Sequence, residues 1–293
     1  MKKLIILGLF LTVFFVSSVF AATLTSGYKL LIKNDAQVMA MEESGRASIK
    51  GLSAFDLNPT GLSEIKNKVL SFSYTKYFAE MNLFNFKFGM NMPKLGAVAL
   101  SIDYFASPDL PLMNDTTVYD TATFKDYLVG VGYAYKIYKR MIILGLKGRY
   151  LSSTTYTFKS SAYALDGGLN LNFVSSFPIA LTVENFGQGK FDGTTFKLPT
   201  TVNAALAYIA NFQNNNIILN LDASSYIEKI SAKYSASASY EYAKFLKVMF
   251  GYKLSTGEKS VGIGINKFGF VVDVNYSFQS VDSSYTITLK YQL

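Results

Sequence analysis

The chain has 293 residues, a formal net charge of +8, and no cysteine, histidine or tryptophan. Without cysteine it forms no disulfide and has no thiol nucleophile, and without histidine it lacks the commonest general base and metal ligand. Charged residues make up 16% of the chain, against about 25% in average soluble domains. We therefore expect no enzymatic activity and no cofactor. Because the basic residues are scattered rather than clustered, we expect no nucleic-acid partner.

A secretory signal peptide is predicted at residues 1–21. Lys2 and Lys3 precede an apolar run from Leu4 to Val16, and Val19-Phe20-Ala21 has small residues at the positions that a signal peptidase reads. The run is shorter than the roughly 20 apolar residues that a membrane-spanning helix needs, so an anchor is the weaker interpretation. No later apolar run is long enough for such a helix. We expect cleavage near Ala21.

From about residue 69 to the C-terminus the sequence alternates between apolar residues and small or polar ones. Phe84, Phe86 and Phe88 are interleaved with Asn85 and Lys87, for example. A period of two indicates β-strands with one apolar and one polar face. Strands of this kind form either two packed sheets or one closed sheet whose apolar face meets lipid.

The alternation predicts an all-β fold, a transmembrane antiparallel β-barrel of about fourteen strands. Most predicted strands have the length of about 9–11 residues that a tilted strand needs to cross a bilayer. The predicted strands are 69–78, 82–92, 95–105, 124–137, 141–150, 162–173, 178–186, 199–209, 216–223, 233–242, 246–254, 259–266, 269–278 and 284–293. The long connections 106–123, 151–161, 187–198 and 224–232 all follow odd-numbered strands, as expected if both termini lie in the periplasm.

The two faces of these strands predict which side chains meet lipid and which line the lumen. Runs such as Leu100 and Ile102, or Val272 and Val274, suit lipid, because a buried charge on that face would be costly. The opposite phase carries the predicted lumen residues Asp103, Lys147, Arg149, Asp166, Asn170, Glu184, Asp222, Glu241, Lys253 and Asp273.

Residues 22–66 do not alternate and are predicted to form an N-terminal plug, ahead of a barrel at residues 67–293. The segment reads as a short strand or loop at 28–32, a helix at 36–50 and a turn-rich stretch at 55–62. A barrel of fourteen strands is too wide to be filled by its own wall, so its lumen is either wet or plugged. The apolar content of the segment argues against a disordered tail.

The stretch Asn58-Pro59-Thr60-Gly61-Leu62, preceded by Phe55-Asp56, resembles the Asn-Pro-Ala-Gly-Leu signature of FadL-like outer-membrane proteins. The resemblance is closest to the PorV/PorQ-type branch, and Thr60 replaces the usual alanine. It implies an N-terminal hatch before fourteen strands, with Asp56, Asn58, Pro59 and Gly61 as the plug motif. It also implies a location in the outer membrane of a diderm bacterium, after insertion by the barrel-assembly machinery.

Two functions follow from this resemblance. The first is passive transport of small hydrophobic, fatty-acid-like compounds, with outer-membrane lipid and a hydrophobic ligand as partners. The apolar tip of the loop after the third strand suits ligand capture, through Leu110, Leu112 and Met113. The alternative is a PorV-type scaffold or adaptor in protein secretion or surface attachment, which would bind a protein partner. The sequence has no motif that selects the adaptor.

Overall fold

The computed structural model describes residues 27–114, 117–138, 141–228, 232–279 and 282–293. The predicted signal peptide lies outside these residues. Within the described ranges, seventeen strands follow the N-terminal segment. They are β1 (Lys68–Lys76), β2 (Asn82–Met92), β3 (Gly96–Ala106), β4 (Leu110–Asn114), β5 (Thr117–Ala122), β6 (Phe124–Tyr138), β7 (Ile142–Thr155), β8 (Phe158–Leu171), β9 (Ile179–Phe191), β10 (Thr194–Lys197), β11 (Thr201–Phe212), β12 (Asn215–Tyr226), β13 (Lys233–Tyr242), β14 (Leu246–Lys253), β15 (Lys259–Lys267), β16 (Phe270–Phe278) and β17 (Ser283–Gln292).

Fourteen of these strands form one closed antiparallel barrel. Each pairs with its neighbour along the chain, β8 pairs with β9, and the first and last strands close the barrel through the register Val69↔Gln292 to Lys76↔Tyr285. The other three strands, β4, β5 and β10, extend the connections at one end. We call that end the loop end, and the opposite end, where β1 begins and β17 finishes, the terminal end.

All fourteen predicted strands are present, which confirms the predicted fold class. Their lengths differ most at the loop end, where the prediction of a long connection at 151–161 is wrong. Strand β7 continues to Thr155 and β8 begins at Phe158, so only a two-residue turn separates them. This Ser/Thr-rich stretch lacks apolar alternation, but its backbone still pairs across the hairpin. Likewise, 106–123 contains the β4–β5 hairpin, and 187–198 contains the end of β9 and β10.

The outer surface of the barrel is apolar and the inner surface is not. Outward side chains include Leu100, Leu146, Val272 and Val274, each more than one-third exposed. Aromatic rings form a row across five adjacent strands near the loop end, through Tyr285, Tyr74, Phe84, Tyr104 and Tyr127, with ring centroids 5.0–6.5 Å apart. An apolar band with an aromatic border is the surface that a transmembrane barrel presents to lipid.

The inner surface is lined by small and polar residues, and residues 27–65 occupy the space that it encloses. Helices α1 (Ala36–Ala40) and α2 (Ala54–Leu57) are joined by turns, with 3₁₀ turns at Tyr28–Leu31, Gly51–Ser53 and Pro59–Glu64. Within the described part of the chain, no helix has the length and apolarity needed to cross a membrane.

The N-terminal segment (residues 27–65) differs from its sequence prediction in two places. Of the two alternatives for residues 28–32, the strand is wrong, because a 3₁₀ turn lies there, and the helix predicted at 36–50 ends at Ala40. Asp35 begins this helix, because its Oδ1 accepts hydrogen bonds from the backbone N–H groups of residues 37 and 38. The helix ends because Glu42 and Glu43 adopt left-handed backbone conformations, with φ of 49° and 58°.

Candidate functional site

The Asn58–Leu62 motif packs inside the barrel against its wall. The side chain of Asn58 accepts a hydrogen bond from Thr60 N at 3.1 Å and donates one to Arg46 O at 2.8 Å. Pro59 begins the 3₁₀ turn at a position where its missing N–H is not needed. Gly61 is required by close approach rather than by positive φ, because a Cβ there would lie 2.3 Å from Ile49 O. The motif is therefore a packed turn in the segment.

Glycines in the wall make room for the segment. A Cβ on Gly145 would lie 2.4 Å from Thr60 N, and one on Gly168 would lie 2.2 Å from the side-chain oxygen of Asn58. A Cβ on Gly130 or Gly132 would lie 2.9 or 3.0 Å from the ring of Phe55, so both glycines leave room for that ring. The glycines of β6 therefore allow the segment to pack closely against the wall.

Buried ion pairs join the segment to the wall. Glu184 on β9 accepts from Lys33 Nζ and from Arg46 Nε, each at 2.9 Å. The carboxylate of Asp222 on β12 accepts from the backbone N–H groups of Gly45 and Arg46, at 2.9 and 3.1 Å, and from Arg46 Nη1 at 3.2 Å. Removing one member of a buried pair costs about 3–5 kcal/mol, because the other charge is left unpaired. These contacts therefore hold the segment in one position.

A second cluster lies on β7, β8 and β9. Asp166 accepts from Lys147 Nζ at 2.7 Å and from Arg149 Nη2 at 2.8 Å. The same two cations reach the segment, because Lys147 donates to Phe55 O at 2.7 Å and Arg149 donates to Leu30 O at 3.2 Å. Wall and segment thus share one hydrogen-bonded network.

Two lysines on the opposite wall complete the attachment. Lys253 lies 3.5 Å from a Glu42 oxygen and 3.2 Å from a Glu43 oxygen. Lys290 lies 2.8 Å from Asp273 and 3.4 Å from Asp35. Burial alone would raise the pKa of Asp35, but Lys290 and Lys87 outweigh it and hold that pKa below its ordinary value. For Glu42 burial prevails over Lys253, so its pKa is raised.

Most of the sequence-predicted lumen residues face the segment. Asn170 donates to Ala47 O at 3.2 Å. Asp103 instead accepts from Asn85 at 2.8 Å, and Glu241 accepts from Asn216 at 2.8 Å, so neither meets the segment in these contacts. Among the plug-motif residues, Asp56 pairs with Lys87 of β2 at 2.8 Å.

The sequence prediction missed the unpaired Lys29 and the charged partners on both sides, which are Lys33, Asp35, Glu42, Glu43, Arg46, Lys87 and Lys290. These residues lie on a segment without periodicity or within strands chosen only for their alternation. One feature of the sequence could have identified them: charged residues in an otherwise apolar segment need partners inside the barrel.

An apolar cavity of about 520 Å³ opens at the loop end. We call it the loop-end cavity. Its lining includes Phe105, Pro108, Leu110, Phe124, Leu151 and Phe191. Of the capture residues predicted from the sequence, Leu110 is 38% exposed and lines this cavity, and Leu112 is half-buried in the same β4–β5 hairpin. The side chain of Met113 lies outside the described part of the structure.

Lys29 is the cation of the loop-end cavity. Its side chain is buried, with 4% exposure for the residue, and its Nζ has no hydrogen-bond partner among the described residues. The ammonium lies 5.9 Å from the centre of the Phe105 ring. Burial lowers the pKa of Lys29, and Asp103 and Asp126 oppose that shift. A buried polar atom without a partner is costly, so this site suits an anionic group beside an apolar body.

The geometry defines a class: a closed fourteen-stranded antiparallel barrel whose lumen holds the N-terminal segment. The solved CymD monoaromatic hydrocarbon channel matches 89% of this chain and 97% of its own, with a TM-score of 0.65 and 12% identity. The Pseudomonas putida toluene transporter TodX matches 87% of this chain and 96% of its own (TM-score 0.62, 10% identity). A Pseudomonas aeruginosa FadL homologue matches 88% and 98% (TM-score 0.54, 7% identity).

At these identities the likeness is one of fold. No family model matches the sequence, and no curated protein sequence resembles it significantly. The matches extend over most of the chain. One of the matched structures is a FadL homologue, which agrees with the resemblance to FadL-like proteins inferred from the Asn-Pro-Thr-Gly-Leu motif. They give no support to the narrower PorV/PorQ-type branch.

Proposed function

We propose that this protein is an outer-membrane channel for passive transport of small hydrophobic compounds that carry a carboxylate, as fatty acids do. The loop-end cavity is the observation that supports it most directly, since apolar side chains surround a buried, unpaired ammonium. Asp126 and several hydroxyl side chains also line the cavity, and an apolar lining with a few placed polar groups is typical of a site for an amphipathic small molecule. Two fold neighbours, a monoaromatic hydrocarbon channel and a toluene transporter, support a hydrophobic cargo.

In this proposal the loop end faces outward and both termini lie in the periplasm. The carboxylate binds Lys29 while the hydrocarbon part contacts Phe105, Leu110 and Phe124. The N-terminal segment lies between this cavity and the terminal end, so it must shift before the cargo leaves the barrel. The plug assignment of residues 22–66 belongs to the proposal. The secretion-scaffold alternative remains without a supporting contact in the described residues.

The proposal is tested by binding of decanoic acid and of decanol to the purified full chain, by displacement of a fluorescent fatty acid. The variant is Lys29→Met, which keeps most of the apolar side chain, and the control is Lys159→Met, an exposed loop-end lysine. We expect decanoate affinity to fall about tenfold to a hundredfold in Lys29→Met. The reason is that the variant loses a hydrogen bond to a charged group, which contributes about 1.5–3 kcal/mol to binding. Decanol affinity should change little.

Two outcomes would count against it. If neither compound binds the wild-type protein, the transport proposal fails. If both bind equally and Lys29→Met changes neither, the cargo is neutral and the role of Lys29 is wrong.

A further inference from the structure

Exposed charges differ between the two ends of the barrel. At the loop end the exposed lysines are balanced by exposed acids: Lys125, Lys159, Lys190, Lys197, Lys233 and Lys259 against Glu80, Asp109, Asp120, Asp192, Glu228 and Asp282. At the terminal end the exposed charges within the described ranges are all basic: Lys50, Lys66, Lys68, Lys94, Lys244 and Lys267. The terminal end therefore presents a positive potential.

Part of this charge surrounds a cavity of about 420 Å³ inside the barrel mouth, which we call the terminal-end cavity. Lys50 and Lys66 reach it from the N-terminal segment and its link to β1, and Lys244 and Lys247 reach it from the β13–β14 turn and β14. The four lysines thus approach one concave site from the segment on one side and from β14 and the turn before it on the other.

These four lysines form no ion pair with any carboxylate in the described part of the chain. The acids that line the cavity have other partners: Glu64 lies 2.7 Å from Lys136, and Asp273 lies 2.8 Å from Lys290. Glu241 is opposite Lys247 in the strand register, but it accepts its hydrogen bond from Asn216 at 2.8 Å.

Four other lysines of the barrel wall do have carboxylate partners. Lys87, Lys147, Lys253 and Lys290 each lie within 4 Å of a carboxylate. The four lysines at the terminal mouth therefore keep N–H donors that no carboxylate among the described residues accepts. Several lysines held around one cavity repel one another, and a multivalent anion between them removes that repulsion.

We propose that the terminal-end cavity binds a phosphate-bearing anion through Lys50, Lys66, Lys244 and Lys247. A phosphate monoester carries a charge of about −1.5 to −2 at neutral pH and presents three acceptor oxygens, which suits several point charges from different elements. A phosphodiester, as in a phospholipid headgroup, carries one negative charge on two free oxygens, so the same lysines attract it less strongly. The source is either a soluble phosphate compound or a phospholipid headgroup of the adjacent leaflet. The second source rests on the proposed membrane location; the first does not.

The test measures acetylation rates of individual lysines by mass spectrometry on the full chain in detergent, with inorganic pyrophosphate as the probe and sodium chloride of equal ionic strength as the reference. Protection of Lys50 and Lys66 should saturate. It should reach about tenfold when pyrophosphate is about ten times its Kd, because the free fraction of the site falls by that factor. The double variant Lys244→Met/Lys247→Met should lose this protection, and Lys94→Met/Lys267→Met, outside the cavity lining, should keep it.

Absence of protection at Lys50 and Lys66 would overturn the proposal. Equal slowing of acetylation at Lys159 and Lys197 of the loop end would also overturn it, because the effect would then be general ionic screening. A parallel comparison without pyrophosphate uses nanodiscs of phosphatidylglycerol and of phosphatidylcholine. Protection of Lys50 and Lys66 in the phosphatidylglycerol discs assigns the site to a lipid headgroup. Protection by pyrophosphate alone assigns it to a soluble phosphate. Decanoate binding at the loop end is measured separately, so failure of either proposal is seen independently.

Discussion

Gly145 shows how single residues fix the position of the segment. Its missing Cβ leaves space for the backbone of Thr60, which would otherwise lie 2.4 Å away. We expect Gly145→Ala to destabilise the packed segment by about 1–3 kcal/mol, the usual cost of overpacking. Hydrogen exchange at residues 58–62 checks this. Gly148→Ala on the same strand is the control, since its Cβ would meet only Leu165, at 3.7 Å. Equal exchange in both variants would contradict the account.

Asp35 makes the attachment of the segment dependent on pH. Its folded pKa lies below its ordinary value of 3.8, so the stabilisation is present above that pH and is lost as the pH falls through the folded pKa. Glu42, whose pKa is raised, acts in the opposite sense. We expect the protection factors for hydrogen exchange, taken relative to the intrinsic rate at each pH, to fall at residues 36–40 below pH 3.8 in the wild type. In Asp35→Asn, which keeps a helix-capping side chain, exchange should be faster at neutral pH and depend less on acid.

The control for this pH effect is Asp192→Asn, an exposed carboxyl at the loop end. Its exchange profile at residues 36–40 should match that of the wild type. An Asp35→Asn profile identical to the wild type would mean that the ion pair with Lys290 does not hold the helix.

A substitution in strand β16 can test which face of a strand meets lipid. Val274 lies at its midpoint, pairs with Ile263 and Ile287, and is 43% exposed on the outer surface. Val274→Arg should reduce the folded fraction, since arginine at mid-membrane costs about 2–4 kcal/mol, against about 0–1 near the interface. Leu95→Arg, in the terminal-end turn before β3, is the matched control. Equal folded fractions on unheated gels would show that β16 does not face lipid.

The fourteen barrel strands could be read from the sequence because most of their length has a period of two. Val272, Val274 and Tyr276 identify the outer face of β16 without reference to any neighbour. The predicted helix at 36–50 is longer than helix α1, because the sequence does not reveal the left-handed backbone of Glu42 and Glu43. The contacts of the site could not be predicted, since pairs such as Arg46 with Glu184 join residues far apart in the chain and carry no local pattern.

At the scale of the whole molecule, the segment should close the barrel to ions. Deleting residues 27–57 removes Lys33, Asp35, Glu42, Glu43 and Arg46 and leaves their wall partners to water. All fourteen strand pairings lie outside the deletion, so we expect a folded barrel with a larger single-channel conductance in planar bilayers. Conductance equal to that of the full chain would mean that the segment does not block the lumen.

The central claim, passive transport of a hydrophobic acid, is tested most directly by uptake of radiolabelled decanoate into intact diderm cells that have no other outer-membrane channel for such acids. We predict faster uptake in cells that produce the wild-type protein than in cells with the empty vector. Cells that produce Lys29→Met at the same folded level should take up decanoate more slowly than the wild type. Equal uptake with and without the protein would contradict the claim.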